Sequence, residues 1–470
     1  MITIRIPATY EPERRYILSV VIREFLGLDI HEILPADCKD VQITTGDGRE
    51  LVIADGLFGV PEDRWLQPDS LPRQPLKVWN LGTAAIDPLT VSSSVPVIYG
   101  KDPDSADFFT ASDGQINLGL DIFGAAFFML TRYEEVVRSA ARDERERFPA
   151  SASLAFQENF LERPIINEYT ELLWSCLTRL WPRLRRKPRR FDVRLSHDVD
   201  LPLCVAGKPL VQVLRSVTGD MVKRREPVLA LRRLDSFVRS RQKGSDFDLC
   251  DTFDHIMTLS ESHDIRSSFN FIAGRTAGKI DGSYSMADPW IRRLVRRIHE
   301  RGHEIGLHPS YNTFRNPSQI RREFDVLRWT ADAENIHQER WGGRQHFLRW
   351  EAPTTWQAWE DAELDYDSTL TFADYVGFRC GVCYEFPVFN LRTRRPLNLR
   401  EQPLIVMEDT LLRKDYMDLP LGEVWDRIIT LRERCRAYDG TFTLLWHNHM
   451  LVDKKLAQLY NKLVAAEGLE

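Results

Sequence analysis

The sequence predicts an α/β protein of two domains, of which the second is a series of strands and helices that feeds one parallel sheet. The chain has 470 residues, about three times the usual length of one domain, and 43% of them are hydrophobic. Residues 179–194, RLWPRLRRKPRRFDVR, have the charge density and the two prolines of a linker. Strand-like and helix-like segments alternate after it. We therefore expect an N-terminal α/β accessory domain at 1–185 and a β/α domain at 190–470.

The first domain is predicted to combine short strands with long helices. VQITT at 41–45 and ELVIAD at 50–55 read as strands on either side of a Gly-Asp-Gly turn, and PVIYG at 96–100 reads as another. Apolar residues at three- and four-residue spacing predict helices over 123–148 and 165–184. Because no catalytic cluster of His, Cys and carboxylates occurs here, we expect a docking or substrate-framing role.

The second domain alternates strands and helices in the manner of β/α units. The predicted strands are 191–200, 266–274, 303–311 and 441–449, and the predicted helices are 251–265, 288–302, 334–343 and 423–440. The carboxyl ends of parallel strands meet at one edge of a sheet, where α/β proteins bind their ligands. We therefore expect the functional site at that edge.

Charge and composition exclude several classes of protein. The net charge of -6 and the isoelectric point near 6.1 have the wrong sign for a partner with a phosphate backbone, so nucleic acid is not expected. The N-terminus lacks the basic segment and unbroken apolar run of a signal peptide. No stretch of about 18 uncharged apolar residues occurs elsewhere. These features predict a cytoplasmic protein without a membrane span.

Cysteine usage indicates reduced thiols. The seven cysteines are an odd number, scattered through a long chain. Cys380 and Cys383 have the spacing of half a zinc site or of a redox pair, but no second such pair accompanies them. A turn lined by two small buried residues is the favoured interpretation.

Candidate catalytic residues lie at the ends of three predicted strands. Asp198 and Asp200 alternate along the first strand and point to the same side, which suits one metal ligand and one base. His308 ends the second of these strands, and a turn four residues later would return Asn312 to the same place. His447 ends the last strand, and the pKa of an unperturbed imidazole suits proton donation.

Cationic and aromatic residues between these strands are candidates for substrate contact. They are Arg344, His346, Arg349, Trp350 and Trp356, with Tyr311 and Arg379 as further members. Such a combination occurs in sites that stack a sugar face and hold an anionic group such as a diphosphate. An amphipathic loop packed against the rim of the sheet explains the same residues equally well.

Five segments of the second domain carry a resemblance to a known family. They are SHDVD, GHEIGLHPSYNT, LRWEAPTTW, YDSTLTFAD and LLWHNH, in that order. With these motifs, residues 190–470 resemble the polysaccharide deacetylase superfamily (carbohydrate esterase family four). The first domain, with DIFGAAFFMLTRYEE and RFPASASLAFQENFLERPIIN, is similar to an uncharacterised domain that precedes such domains in bacterial surface-polysaccharide loci.

The resemblance implies a fold and a set of roles. The fold would be a distorted seven-stranded (β/α) barrel, and the activity metal-assisted hydrolysis of an N-acetyl group on a sugar. Asp198 would be the general base, Asp200 and His308 metal ligands, and His447 the general acid that protonates the departing amine. Water attacks directly in this scheme, and the sequence contains no G-x-S-x-G nucleophile elbow.

Two further features follow from the same resemblance. Arg349 would orient the base, and Asp374 or Asp367 would supply the carboxylate behind the arginine or the histidine. Asn312 stands where the superfamily has a second metal-binding histidine, and its neutral amide oxygen is a poorer zinc ligand than imidazole. We therefore expect a divalent metal, zinc first, held with reduced affinity by this Asp-His-Asn set.

The sequence thus predicts a hydrolase that removes an N-acyl group, N-acetyl first, from a sugar or glycan in bacterial surface-polysaccharide metabolism. Two alternatives stay open. One is a metal-free amidohydrolase that acts on a non-sugar amide. The other is a non-catalytic deacetylase-like protein that binds a glycan or a partner protein.

Overall fold

The computed structural model describes residues 2–84, 92–222 and 225–466. The strands of its first part are β1 (Ile2–Pro7), β2 (Ile30–Ala36), β3 (Val41–Thr44), β4 (Glu50–Ile53), β5 (Val78–Asn80), β6 (Ser94–Pro96), β7 (Phe109–Ala111) and β8 (Gln115–Leu118). Six of them form a mixed sheet of order β2-β1-β3-β4-β8-β7, and β5 pairs with β6. The predicted strands around the Gly-Asp-Gly turn are confirmed as the antiparallel pair β3 and β4, whereas of 96–100 only Pro96 belongs to a strand.

The helices of the first part are α1 (Glu11–Leu18), α2 (Ile122–Leu130), α3 (Tyr133–Val137), α4 (Leu154–Gln157) and α5 (Ile165–Leu180). The helix predicted over 165–184 is confirmed as α5. The continuous helix predicted over 123–148 is wrong, because Arg132 adopts a left-handed φ of 55° directly after α2. Its guanidinium turns inward and pairs with the buried Glu134 and Glu135. These local ion pairs, with a hydrogen bond from Arg132 to the distant Arg379 carbonyl, outweigh the helix propensity of the segment.

The second part is built on one large sheet. Its strands are β9 (Asp192–Val199), β10 (Ser268–Phe271), β11 (Glu304–Leu307), β12 (Gly342–Gly343), β13 (Tyr366–Asp367), β14 (Phe386–Asn390), β15 (Arg395–Glu401), β16 (Val406–Met407) and β17 (Thr441–Leu445). The order is β14-β15-β13-β12-β11-β10-β9-β17-β16, and only β14 runs antiparallel to its neighbour. The four strands predicted for this part are confirmed as β9, β10, β11 and β17.

The predicted seven-stranded barrel is only partly observed. Eight strands run parallel in this sheet. The described residues contain no backbone ladder that joins the two ends of the order, so a closed barrel is not shown. β15 and β16 are nonetheless consecutive in the chain and separated only by residues 402–405. The carboxyl ends of the parallel strands still share one edge, as the sequence predicted.

The helices of the second part are α6 (Leu210–Val222), α7 (Pro227–Lys243), α8 (Phe253–Glu261), α9 (Pro289–Glu300), α10 (Pro317–Ala333), α11 (Thr354–Asp361), α12 (Glu408–Leu412), α13 (Leu421–Arg436) and α14 (Lys454–Ala465). The helices predicted over 251–265, 288–302 and 423–440 are confirmed as α8, α9 and α13. The helix predicted over 334–343 is wrong, because α10 ends at Ala333 and Asn335 adopts a left-handed φ of 55°.

The two parts pack against each other through one continuous apolar core. The Tyr16 hydroxyl donates to the Pro387 carbonyl at 2.8 Å, and the rings of Phe127 and Phe389 meet edge to face. The division at 185–190 therefore stays a prediction about folding units. Across the described ranges, no helix combines the length and apolar character needed to cross a bilayer.

Candidate functional site

Three ligand-bearing side chains converge at the carboxyl edge of the large sheet. Asp200 follows β9, His308 follows β11, and His346 follows the short β12. One ligand atom from each lies within 4.8 Å of the others. The Oδ1 atom of Asp200 is 3.3 Å from Nε2 of His308 and 3.6 Å from Nε2 of His346.

Contacts behind the two imidazoles fix which nitrogen faces Asp200. Nδ1 of His308 donates to the Arg344 carbonyl at 2.6 Å, and Nδ1 of His346 lies 3.3 Å from Oδ1 of Asp281. Asp281 itself accepts hydrogen bonds from the backbone amides of Thr276, Ala277 and Tyr311. Burial raises the pKa of Asp281, but the contact with His346 and these three hydrogen bonds outweigh it and lower the pKa to about 2. Both Nε2 atoms are therefore free to act as ligands.

The set fits a divalent cation. Oδ1 of Asp200 is buried without a hydrogen-bond partner, an arrangement that is costly unless something else satisfies it. Burial raises the pKa of Asp200, but the imidazoles of His346, His308 and His447 outweigh it and lower the pKa well below its ordinary value. An ionised carboxylate with two imidazoles, each oriented by a second group, is the usual three-ligand pattern of catalytic zinc sites.

Asp198 lies beside this cluster and is held on one side only. Its Oδ1 accepts from Nη1 of Arg344 at 2.9 Å and from Nδ2 of Asn270 at 2.8 Å. Its Oδ2 lies 3.8 Å from Nε2 of His308. Burial raises the pKa of Asp198, but the Arg344 guanidinium and His308 lower it by more than burial raises it. The carboxyl is therefore ionised at neutral pH. The free oxygen can accept a proton.

His447 lies on the other side of Asp200. Its Nε2 is 3.6 Å from Oδ2 of Asp200, and its Nδ1 donates to Oε1 of Glu408 at 2.6 Å. The same oxygen accepts the backbone amide of His447 at 2.7 Å. Burial lowers the pKa of His447, but the Glu408 carboxylate outweighs it and raises the pKa well above the ordinary value. This imidazole therefore holds a second proton more readily than an ordinary histidine does.

A cavity of about 220 Å³ opens onto these residues. Its remaining walls include Phe347, Met407, Tyr416 and, from the first part of the chain, Arg147. Nη1 of Arg147 donates to the Phe347 carbonyl at 3.2 Å, and Nη2 lies 3.2 Å from the Tyr416 hydroxyl. The N-terminal part therefore supplies one wall of the site.

The structure brings together Asp198, Asp200, His308 and His447 from the predicted set, but not Asn312. The Asn312 side chain is exposed, donates to the Thr276 carbonyl at 3.0 Å, and accepts from Arg349 at 3.1 Å. The ligand-bearing residue in its expected position is His346, which the sequence analysis assigned to substrate contact.

Arg344 and Arg349 also differ from their predicted roles. Arg349 donates to the carbonyls of Arg145 and Tyr311 and pairs with Glu146, and none of these contacts reaches Asp198. Arg344, expected to contact substrate, instead bonds to Asp198. The guanidinium that orients Asp198 thus comes from Arg344.

The other expected substrate contacts are divided between core and rim. Trp350 is fully buried and meets Trp356 edge to face, and Arg379 is buried against Glu135. Tyr311 is half-buried at the rim, with its ring centroid 6.5 Å from that of His346. Neither Trp350 nor Arg379 can reach a substrate in this arrangement.

The carboxylate behind His447 is Glu408, which the sequence analysis missed. Asp374 accepts the Ala150 amide, and Asp367 accepts the backbone amide and hydroxyl of Thr369. The signal that could have found Glu408 is its position directly after Met407, at the end of β16, by the same rule that identified Asp198. The thiols of Cys380 and Cys383 are buried and free.

Comparison with known proteins gives one family match and two structural similarities. Residues 2–182, less than half of the chain, match a family of unknown function, DUF7033. No curated protein matches the chain. A protein from Mycobacterium smegmatis described as a polysaccharide deacetylase is similar with a TM-score of 0.39 and 11% identity, over 61% of this chain and 87% of that one. The allantoinase Puue is similar with a TM-score of 0.35 and 12% identity, over 61% and 89%. Because both TM-scores lie below 0.5, function must be inferred from the side chains of the site.

Proposed function

We propose that the protein is a metal-dependent hydrolase that removes an N-acyl group, N-acetyl first, from a sugar. The observation that carries this proposal is the position of Asp200 between a group that can accept a proton and a group that can donate one. On one side lies an ionised carboxylate, Asp198, with a free oxygen. On the other lies a protonated imidazole, His447, with a carboxylate behind it. Hydrolysis of an amide by water needs such a base and such an acid.

Asp200, His308 and His346 would hold the metal, with zinc as the first choice. The chemistry that such an ion supplies when bound is polarisation of a carbonyl and easier deprotonation of water.

The protein's own groups divide the proton transfers between them. The free Oδ2 of Asp198 accepts the proton of the attacking water, while Arg344 and Asn270 hold Oδ1 and keep the carboxylate ionised. Nε2 of His447 donates its proton to the nitrogen that departs, and Glu408 stabilises the charged imidazole before that transfer. The products are a carboxylic acid and a free amine.

The size of the cavity favours a small substrate or the end of a chain. Its volume of about 220 Å³ is below the roughly 300–1,000 Å³ of pockets that bind drug-sized ligands. Its polar side chains suit hydroxyl and amide groups. The cavity therefore favours a single N-acylated sugar, or the terminal N-acylated sugar of a longer chain.

The test compares His346→Ala with Asn312→Ala in the purified full-length protein. We expect elemental analysis to find one divalent metal per chain in the parent and in Asn312→Ala, and a large loss in His346→Ala. Acetate release from N-acetylated sugars, with added Zn, Co, Mn or Ni, should fall by about 100-fold or more in Asp198→Asn, which should keep its metal. A parent protein without metal and without acetate release would contradict the proposal and favour a metal-free amidohydrolase or a binding protein.

A further inference from the structure

Helices α6 and α7 form a hairpin between β9 and β10, at the same edge of the sheet as the candidate site. The hairpin has an apolar core of its own, separate from the main core, which includes Val213, Val217 and Phe237. A buried ion pair between Arg233 and Asp220, with Nε and Oδ2 at 2.6 Å, holds the two helices together. The element is therefore a defined projection of the fold.

This hairpin exposes an unusual share of the apolar surface. Of the fifteen large hydrophobic side chains that are exposed in the described residues, nine lie between 210 and 247. They are Leu210, Val211, Leu214, Met221, Val222, Val228, Leu231, Val238 and Phe247. Val211, Val222 and Leu231 are exposed by 72%, 69% and 67%. Patches of this kind mark interaction sites in soluble domains.

The exposed apolar side chains follow helical periodicity. On α6, Val211, Leu214 and Met221 recur at intervals of three and seven residues, beside the buried face of Val213 and Val217. On α7, Val228, Leu231 and Val238 recur at the same intervals. Each helix thus presents an outward apolar stripe in addition to the face that forms the hairpin core.

The same helices carry basic side chains. Arg215, Arg241 and Lys243 are exposed. The two acidic residues of the helices are neutralised within the hairpin, because Asp220 pairs with Arg233 and Asp235 pairs with Arg239 at 2.9 Å. Even with the exposed Glu226 directly before α7, the exposed Arg215, Arg241 and Lys243 give this apolar surface an excess of positive charge, although the whole chain has a net charge of -6.

We propose that the α6–α7 hairpin docks the protein on an anionic lipid bilayer. Aliphatic stripes flanked by Arg and Lys are the composition of helices that lie in the membrane interface, and each basic residue near an anionic surface adds to the attraction. A second copy of the chain fits less well. A two-fold contact through this face would bring the exposed basic side chains of both copies together.

The hairpin adjoins the candidate site. The hairpin begins ten residues after Asp200, and Nη1 of Arg232 donates to the Val452 carbonyl at 2.9 Å, just beyond the segment that carries His447. The inference rests on the exposed surface alone. It holds whether or not the site hydrolyses an amide.

The test is co-sedimentation of the full-length protein with lipid vesicles at low salt. The vesicles are pure phosphatidylcholine, or phosphatidylcholine with about one quarter phosphatidylglycerol. The main variant is Val211→Asp with Leu231→Asp, and a second variant reverses charge through Arg241→Glu and Lys243→Glu. Trp329→Asp is the matched control, since Trp329 is 71% exposed on α10, outside the hairpin. Circular dichroism establishes that each variant is folded.

We expect the parent and Trp329→Asp to bind anionic vesicles equally and neutral vesicles weakly. The apolar double variant should lose at least tenfold in apparent affinity, and the charge-reversed variant should lose several-fold and become insensitive to salt. Absence of parent binding, or equal binding by the apolar variant, overturns the proposal. A dimer of the parent that dissociates in the apolar variant, without vesicle binding, would instead make this face a contact between copies.

Discussion

Two buried clusters of charged side chains differ in how fully their hydrogen bonds are satisfied. At the junction of the two parts, Arg379 donates to Glu135 through Nε at 2.9 Å and Nη2 at 2.6 Å, and Arg132 donates to Glu135 at 2.8 Å and to Glu134 at 3.0 Å. At the candidate site, by contrast, three imidazole Nε2 atoms surround Asp200, whose Oδ1 has no hydrogen-bond partner.

The difference separates a cluster whose charges are all paired from one that keeps open positions. Burial raises the pKa of Glu135, but Arg379 and Arg132 outweigh it and lower the pKa to about 2, so the junction is a closed set of paired charges. The site keeps ligand atoms and one carboxylate oxygen available for something outside the protein. Completeness of pairing, rather than charge or burial, distinguishes the carboxylate of Glu135 from that of Asp200, whose Oδ1 has no hydrogen-bond partner.

The largest expected effect comes from breaking the closed cluster. Arg379→Ala leaves the buried Glu135 with one guanidinium instead of two, and should cost about 3–5 kcal/mol of unfolding free energy. Thermal and denaturant unfolding measure this loss. Because the pair is coupled, Glu135→Ala with Arg379→Ala should cost less than the sum of the single variants. An Arg379→Ala protein as stable as the parent would contradict the distinction.

A smaller effect is expected from Glu408→Gln at the open cluster. The change removes the charge that raises the pKa of His447, so this pKa falls and the alkaline limb of the kcat profile moves to lower pH. The value of kcat should drop about tenfold or more, with unchanged metal content. Acetate release measured against pH tests this prediction.

Glu423→Gln is the control, because it removes the same charge from an exposed residue outside the site. An unshifted alkaline limb in Glu408→Gln would mean that His447 is not the group that donates the proton.

The smallest effect concerns an intermediate case, the carboxyl pair Asp367 and Glu401, which are register partners on β13 and β15. Burial raises the pKa of Asp367 to about 7, and burial and Asp367 raise that of Glu401. Both groups favour the folded state when protonated, so stability is lost as the pH rises from about 4 through about 7.

Glu401→Gln removes one of these charges and keeps an acceptor for Trp356, whose Nε1 donates to Oε2 of Glu401 at 3.0 Å. Between pH 5 and 8 the melting temperature should fall in both proteins. The fall in the variant should be smaller than the fall in the parent by about 2–4 °C. Parallel curves for the two proteins would mean that the pair does not ionise in this range.

The sequence could identify those site residues that follow regular strands. Asp198 and His308 were found because β9 and β11 have clear alternation and their carboxyl ends share an edge. His346 was assigned a different role because it follows β12, a strand of two glycines without any hydrophobic pattern. In the loop that carries His346, Phe347 and Leu348 have left-handed backbone angles. Neither residue type predicts that conformation.

Orientation of side chains was the harder part to predict. Asn312 lies at the expected spacing from His308, yet its turn faces solvent, where Thr276 and Arg349 hold the amide. The break at Arg132 goes with a hydrogen bond from its guanidinium to the Arg379 carbonyl, a group that only the folded chain brings next to it. The existence of β9, β10, β11 and β17 follows from local pattern, whereas these placements depend on contacts between distant segments.

The wall that Arg147 contributes has a consequence for how such proteins could be divided or recombined. Residues 190–470 carry Asp198, Asp200, His308, His346 and His447, but without Arg147 the cavity would lack the wall where Phe347 and Tyr416 now meet the guanidinium. The shape of the cavity is therefore a joint property of both halves of the chain. If the site acts as proposed, exchanging the N-terminal half would change which molecules enter without altering a reacting side chain.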